Sequence, residues 1–173
     1  MNSSKLWTEP IYSYEFTIPD NAVDENGHVN NVLYVQWMQD AAVRYYEAMG
    51  GRLFTLDTGA TWVVRSHMIE YLSPAFAGER IKVQTWVVNM RRVRSLRRYR
   101  FVRATDEQLL VRGETDWVFV DTDSGAPRGI PGGQLCRIGR ALARAFETGG
   151  AGTAPRDHVP HRVRHRDNRI IEG

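Results

Sequence analysis

Apolar and polar residues alternate through Tyr12–Ile18 (YSYEFTI), the pattern of a half-buried strand, and Pro19-Asp20-Asn21 ends it with turn-forming residues. From Tyr34 the period changes. Tyr34, Val35, Met38, Ala41, Ala42, Tyr45, Tyr46 and Met49 recur at helical spacing, and Gly50-Gly51 supplies the stop. Leu33 and Trp37 add apolar positions on the other face, so this helix is expected to be buried on most sides. Asp40, Arg44 and Glu47, at i, i+3 and i, i+4 spacing, form its one solvated strip.

Everything from Gly59 to Asp123 reads as extended. Thr61–Leu72 is rich in β-formers, and Arg80–Val93 alternates through Ile81, Val83, Thr85 and Val87. Leu96–Ala104 and Leu109–Val120 follow, with Asp106-Glu107 as the hairpin turn between them. These runs exceed the about 5–6 residues of a typical strand. One helix followed by consecutive long antiparallel strands predicts an α+β domain with its sheet wrapped round the helix. Gly125–Pro131 reads as a loop and Gln134–Phe146 (QLCRIGRALARAF) as a moderately amphipathic terminal helix. After Thr148 the chain turns to Gly, Pro, Arg and His, with little to bury. A single domain over 1–147 and a flexible or partner-dependent basic tail over 148–173 are therefore expected.

Composition narrows the class. At 173 residues, 42% hydrophobic and 25% charged, the chain fits one soluble globular domain with a real core. Its single cysteine, Cys136, excludes an intrachain disulfide framework, suits a reducing compartment, and reads as a small apolar residue. The start, MNSSKLWTEP, has no secretory pattern, and no apolar run approaches the ~20 residues of a bilayer span. A cytoplasmic protein without a membrane partner is expected. His28, His67, His158, His161 and His165 have neither cysteine partners nor a helical zinc-binding spacing, so no metal or other cofactor is expected.

The net charge of +3 conceals a local cluster: Arg91, Arg92, Arg94, Arg97, Arg98, Arg100 and Arg103. Most are read as a solvated strand face. The functional alternative gives Arg91, Arg92 and Arg94 to a phosphorylated ligand or an acidic carrier protein, because guanidinium binds phosphate bidentately. Aromatic residues are not interleaved as a base-stacking platform requires, which argues against nucleic acid.

The densest chemistry lies at Asp24-Glu25-Asn26-Gly27-His28-Val29-Asn30-Asn31, immediately before the helix. One reading is a helix cap, since Asp and Asn side chains satisfy orphan N–H groups. A cap needs one such residue. The carboxylates, carboxamides and imidazole gathered here point instead to a bound carbonyl at the helix N-terminus, with Asp24 and His28 beside it as acid, base or nucleophile.

DENGHVNNVLYVQW resembles the active-site segment of hotdog-fold acyl thioesterases. It is similar to the plant-type acyl-carrier-protein branch, with its Asp-x-Asn-x-His-Val-Asn-Asn-x-x-Tyr pattern, and to the 4-hydroxybenzoyl-CoA thioesterase group. Asp24, Asn26, His28, Asn30, Asn31 and Tyr34 fall on that pattern, and a looser likeness runs from about Tyr12 to Pro131. The resemblance implies the hotdog fold, an acyl-CoA or acyl-carrier-protein substrate, a place in fatty acid metabolism and a homodimer or homotetramer. It gives Asp24 the role of nucleophile or general base, and Asn26 that of holding the water or the thioester oxygen. His28 becomes an orienting or acid–base group, and the Asn31 N–H an oxyanion donor. Asn30 and Tyr34 would touch substrate. Glu70 either lines the cleft or pairs with an arginine.

One departure matters. Where the plant-type branch carries a Glu and often a Cys after its Glu-Tyr pair, this chain has Pro74 and Ala75, which leaves catalysis to the Asp24 cluster. Trp37, Met38, Trp62, Tyr71, Phe76 and Trp117 are candidates for acyl-tunnel walls, each also readable as plain core. Two alternatives stay open: a non-catalytic acyl-CoA-binding hotdog module, and a hotdog enoyl hydratase, whose Asp-x-Asn-Pro-x-His pattern Gly27 and the shorter spacing disfavour.

Overall fold

A computed structural model describes residues 11–131. The predicted helix 134–146, Cys136 and the tail 148–173 lie outside the described residues. Strand β1 (Tyr12–Thr17) leads through a 3-10 turn (Asp20–Ala22) and the polar segment to helix α1 (Asn31–Ala48). Helix α2 (Gly51–Thr58) follows, then β2 (Ala60–Tyr71), β3 (Arg80–Arg91), β4 (Arg94–Arg103) and β5 (Leu109–Asp121). The strands form one antiparallel sheet in the order β1-β3-β4-β5-β2. The long strands expected from alternation are therefore present, within two residues of the expected bounds.

Alternation sets the two faces. On β4, Ser95, Arg97, Tyr99 and Phe101 are buried, whereas Arg94, Arg98 and Arg100 are exposed. Tyr34, Met38 and Ala41 of α1 pack on Ile81, Val83, Tyr99, Phe101, Leu110 and Val111 of the sheet to form the main core. Gly113 of β5 permits a close approach of α1: a Cβ there would fall 2.7 Å from Met38 Sδ.

One expectation needs correction. Helix α1 is not buried on most sides, because Val32, Gln36, Val43, Arg44 and Glu47 face solvent in the single chain. The Gly50-Gly51 stop is present as expected, α1 ending at Ala48, and it joins α1 to a second helix. Gly50 turns left-handed at φ 73°, and the chain resumes as α2 until Gly59, at φ 59°, ends it. Helix α2 was not foreseen, because its apolar residues mark no single inner face: Phe54 packs on Phe119, while Leu53 and Leu56 stay 68% and 72% exposed.

Strand β2 is an edge. No strand among the described residues pairs with its outer side, and Val63, Met68 and Tyr71 on it and Leu72 just after it are exposed. Such an edge, 12 residues long, is a template for pairing with another chain. Among the described residues no helix is long and apolar enough to cross a membrane.

Candidate functional site

The polar segment folds as a tight loop pinned at both ends. Val23 and Val29 bridge its base, Asp24 N donates to His28 O at 2.9 Å, and Gly27, at φ 77°, donates to Asp24 O at 3.0 Å. Gly27 takes a left-handed conformation that disfavours side chains, and so lets Asp24 and His28 close on the same turn. Asp24 Oδ1 accepts the Asn26 N–H at 2.9 Å. Asp24 is half-buried, whereas Asn26, His28, Asn30 and Asn31 are exposed.

Asn30 is the cap. Its side-chain oxygen accepts Val32 N at 2.9 Å, its carbonyl accepts Leu33 N at 3.0 Å, and its own N–H is held by Ala22 O. The cap and catalytic readings thus fall on different residues of one segment. Asn31 opens the helix, so its N–H has no acceptor within the helix, and it makes no hydrogen bond among the described residues. That donor, at the positive end of the α1 dipole and beside the Asp24 turn, can meet a developing oxyanion.

The support beneath comes from 72–79, the link between β2 and β3. Val29 N donates to Ala75 O at 2.9 Å, and the Phe76 ring stands edge-on to His28 at 5.3 Å. Arg103 holds this link: it pairs with Glu79 at 3.0 Å and donates to Pro74 O at 3.2 Å, while Glu79 also accepts Phe76 N at 3.1 Å. Sequence reading missed this clamp because its members are far apart in the chain. Tyr71, expected only as a wall, donates its hydroxyl to Asn31 O at 3.1 Å.

The other predicted residues separate. Tyr34 is 2% exposed, edge-packed on Trp37, Tyr71 and Phe101, and burial, aided by the Glu79 charge, pushes its hydroxyl up to about 12. It stays a proton donor at any ordinary pH. Glu70 pairs with Arg112 on the sheet face turned away from α1, which decides between its two readings in favour of the arginine. That bond holds its carboxyl below the usual range.

The arginine cluster is dispersed as well. Arg94 is tied to Asp116, Arg98 to Glu114 at 2.6 Å, and Arg97 points into the core. Arg91 and Arg92 flank the β3–β4 turn, the far end of a 12-residue strand whose start pairs with Thr17, roughly 36 Å away at the usual rise. Within one chain they do not reach the Asp24 turn.

At that far end lies a cavity of about 410 Å³ between the second half of α1, α2 and the sheet. Two predicted wall residues, Trp62 and Trp117, line it. Trp37 and Met38 belong instead to the core, and Tyr71 and Phe76 to the Asp24 end.

Comparison with known proteins follows the same lines. The sequence model of the family described as the thioesterase-like superfamily matches residues 18–146. A Ruegeria pomeroyi protein named L-carnitine dehydrogenase/betainyl-CoA thioesterase is 26% identical over 152 residues, covering 86% of this chain. The chain spans only 31% of that relative's length. Among solved structures, the 1,4-dihydroxy-2-naphthoyl-CoA thioesterase Slr0204 from Synechocystis superposes with a TM-score of 0.66 at 19% identity, over 74% of this chain and 95% of that one. A hypothetical protein from Staphylococcus aureus, in complex with CoA, gives 0.67 at 14% identity, over 88% and 97%. These likenesses establish the fold as hotdog.

Proposed function

The chain belongs to the thioesterase-like superfamily, and from that premise we propose that it hydrolyses acyl-CoA thioesters to free acid and thiol. The observation that carries the reading is the Asp24 turn. It sets a carboxylate, a carboxamide and an imidazole at the N-terminus of α1, beside an Asn31 N–H without an acceptor among the described residues. Asp24 attacks the thioester carbon or deprotonates a water that does, and charge developing on the carbonyl oxygen meets the Asn31 N–H. Asn26 and His28 orient the attacked group. CoA is preferred over an acyl carrier protein as the thiol, in keeping with the CoA complex of a structural neighbour and the CoA substrates in other relatives' names.

The active unit in this proposal is a homodimer joined along β2, in the cytoplasm. Motif residues exposed in one chain and the unpaired β2 edge both support it. Antiparallel pairing of two β2 strands sets the start of one against the end of the other. The end of β2 adjoins the Asp24 turn through Tyr71, and its start adjoins the cavity through Thr61 and Trp62. Each cavity would then face its partner's Asp24 turn. Only in that trans arrangement do Arg91 and Arg92 remain candidates for the CoA phosphates.

Thiol release from purified protein and a panel of CoA thioesters, short-chain to long-chain and aromatic, tests the proposal. Release well above the spontaneous rate from at least one is expected. None from any would leave a non-catalytic acyl-CoA-binding module.

A further inference from the structure

Helix α2 carries apolar side chains that nothing among the described residues covers. Leu53 and Leu56, at i, i+3 spacing, share one face and stay largely exposed, and Val43 of α1 is 50% exposed. Val43 and Leu53 also line the cavity, so its mouth and these side chains form one surface. Single exposed aliphatic residues are ordinary, but two on one short helix, continuous with a third, make a patch. Its rim is polar: Arg52 and Asp57 flank the leucines on α2, and Glu47 lies one turn beyond Val43, all three exposed. Apolar patches with such a rim mark sites that another segment covers.

The described part of the chain ends beside this patch. Arg128 donates to the carbonyl of Thr58, the last residue of α2, at 2.7 Å, and Ile130 N donates to Arg92 O at 2.9 Å. Gln134 follows Ile130 after Pro131-Gly132-Gly133, so it starts within about 14 Å of that bond. From there Leu135, Ile138, Leu142 and Phe146 fall on one stripe of a helix, with Arg137, Arg140 and Arg144 on the opposite side. As a helix, Gln134–Phe146 is roughly 20 Å long, enough to span α2 and the end of α1 together. The superfamily match also runs to residue 146 and stops before the Gly- and Pro-rich tail, so it includes this segment. The residues before Tyr12 fit less well. They enter at Thr85 on the β1 edge, whereas α2 contacts β2 at the other edge, and MNSSKLWTEP holds no helical stripe. We propose that Gln134–Phe146 of this chain docks as a helix on the Val43–Leu53–Leu56 patch, apolar stripe inward and arginines to solvent. The inference does not depend on the hydrolase reading.

Limited trypsin digestion of the full chain, read by mass spectrometry, tests it, because trypsin cuts after arginine and a docked helix is cut only when it opens. In the wild type, cleavage after Arg156, Arg162 and Arg164 should come first, with Arg137, Arg140 and Arg144 protected. The double variant Leu53→Glu/Leu56→Glu should speed cleavage after those three by about 10-fold or more, while Arg100 and Arg112 in the sheet stay resistant. Rapid cleavage after Arg137, Arg140 and Arg144 in the wild type overturns the proposal, as does protection that the double variant leaves unchanged. If the double variant does not fold, a second measurement decides. The single native cysteine, Cys136, is linked by a short bis-maleimide to Leu56→Cys, with Met68→Cys as the control position. A link within one chain from position 56 and none from position 68 is expected. A link between chains would put a second copy on the patch and overturn the proposal, and so would no link at all or equal linking from both positions.

Discussion

The Tyr71 hydroxyl donates to the Asn31 carbonyl at 3.1 Å, tying the last residue of the edge strand β2 to the first residue of α1. Asn31 is thus braced by an edge strand of the sheet. Tyr71→Phe removes this tie while keeping the ring that packs on Tyr34. A single hydrogen bond of this kind is worth about 0.5–1.5 kcal/mol, so a loss of roughly 2–10-fold in kcat is expected. Unchanged kcat would show the tie to be incidental.

Asp24→Asn is expected to lower kcat by about 10²–10⁴-fold or more while leaving the fold and the assembly intact. The amide keeps an oxygen that can accept the Asn26 N–H, so the loop should retain its shape. Circular dichroism and light scattering check that point, and turnover on the best thioester checks the chemistry. A variant that retains near-wild-type kcat would sink the assignment. Asn30→Ala separates the cap from the catalyst: it should cost about 1 kcal/mol of stability through loss of the Val32 bond.

Met68→Lys places a charge on the exposed face of β2 without touching either the Asp24 turn or the cavity lining. Charged edges resist strand pairing. Sedimentation should show a shift toward monomer, and turnover should fall with it. A fully active monomer would mean that each chain's site is complete on its own.

His67 gives a pH signature. Its Nδ1 lies 2.8 Å from Thr115 Oγ1, and burial holds the imidazole below its ordinary pKa. The fold therefore favours the neutral ring. In the unfolded chain the ring titrates near ~6.5, so its contribution is complete above that pH and is lost as pH falls through the lower folded-state value. The urea midpoint should drop between about pH 7.5 and pH 5 more steeply in the wild type than in His67→Asn. Parallel profiles would assign the acid sensitivity elsewhere.

Gly113→Val should destabilise the domain by about 1–3 kcal/mol, because the new side chain enters space held by Met38. Pairing it with Met38→Ala should recover part of that loss. No recovery in the double mutant would locate the strain in the strand backbone instead.

Alternation and period are local, and they carried most of the fold. Ile81, Val83, Thr85 and Val87 announce a strand, and Tyr34, Met38, Ala41 and Tyr45 a helix, because side-chain direction repeats with period 2 or 3.6 whatever lies opposite. The Asp24–Asn31 segment was legible as a turn and a cap for the same reason: the groups that form them lie within reach of one another along the chain. Partners distant in sequence were not. Nothing near Glu70 says that Arg112 will oppose it, and nothing near Arg103 says that Glu79 and the Pro74 carbonyl will converge on it. The run of arginines looked like one surface until strand parity turned Arg97 inward and left its neighbours outside to pair with Glu114 and Asp116. Sheet order, set by which apolar faces can be buried together, made β2 an edge, and the cavity lies against the second half of α1, away from the Asp24 turn. Such facts depend on contacts between remote segments, and those exist only once the chain has folded.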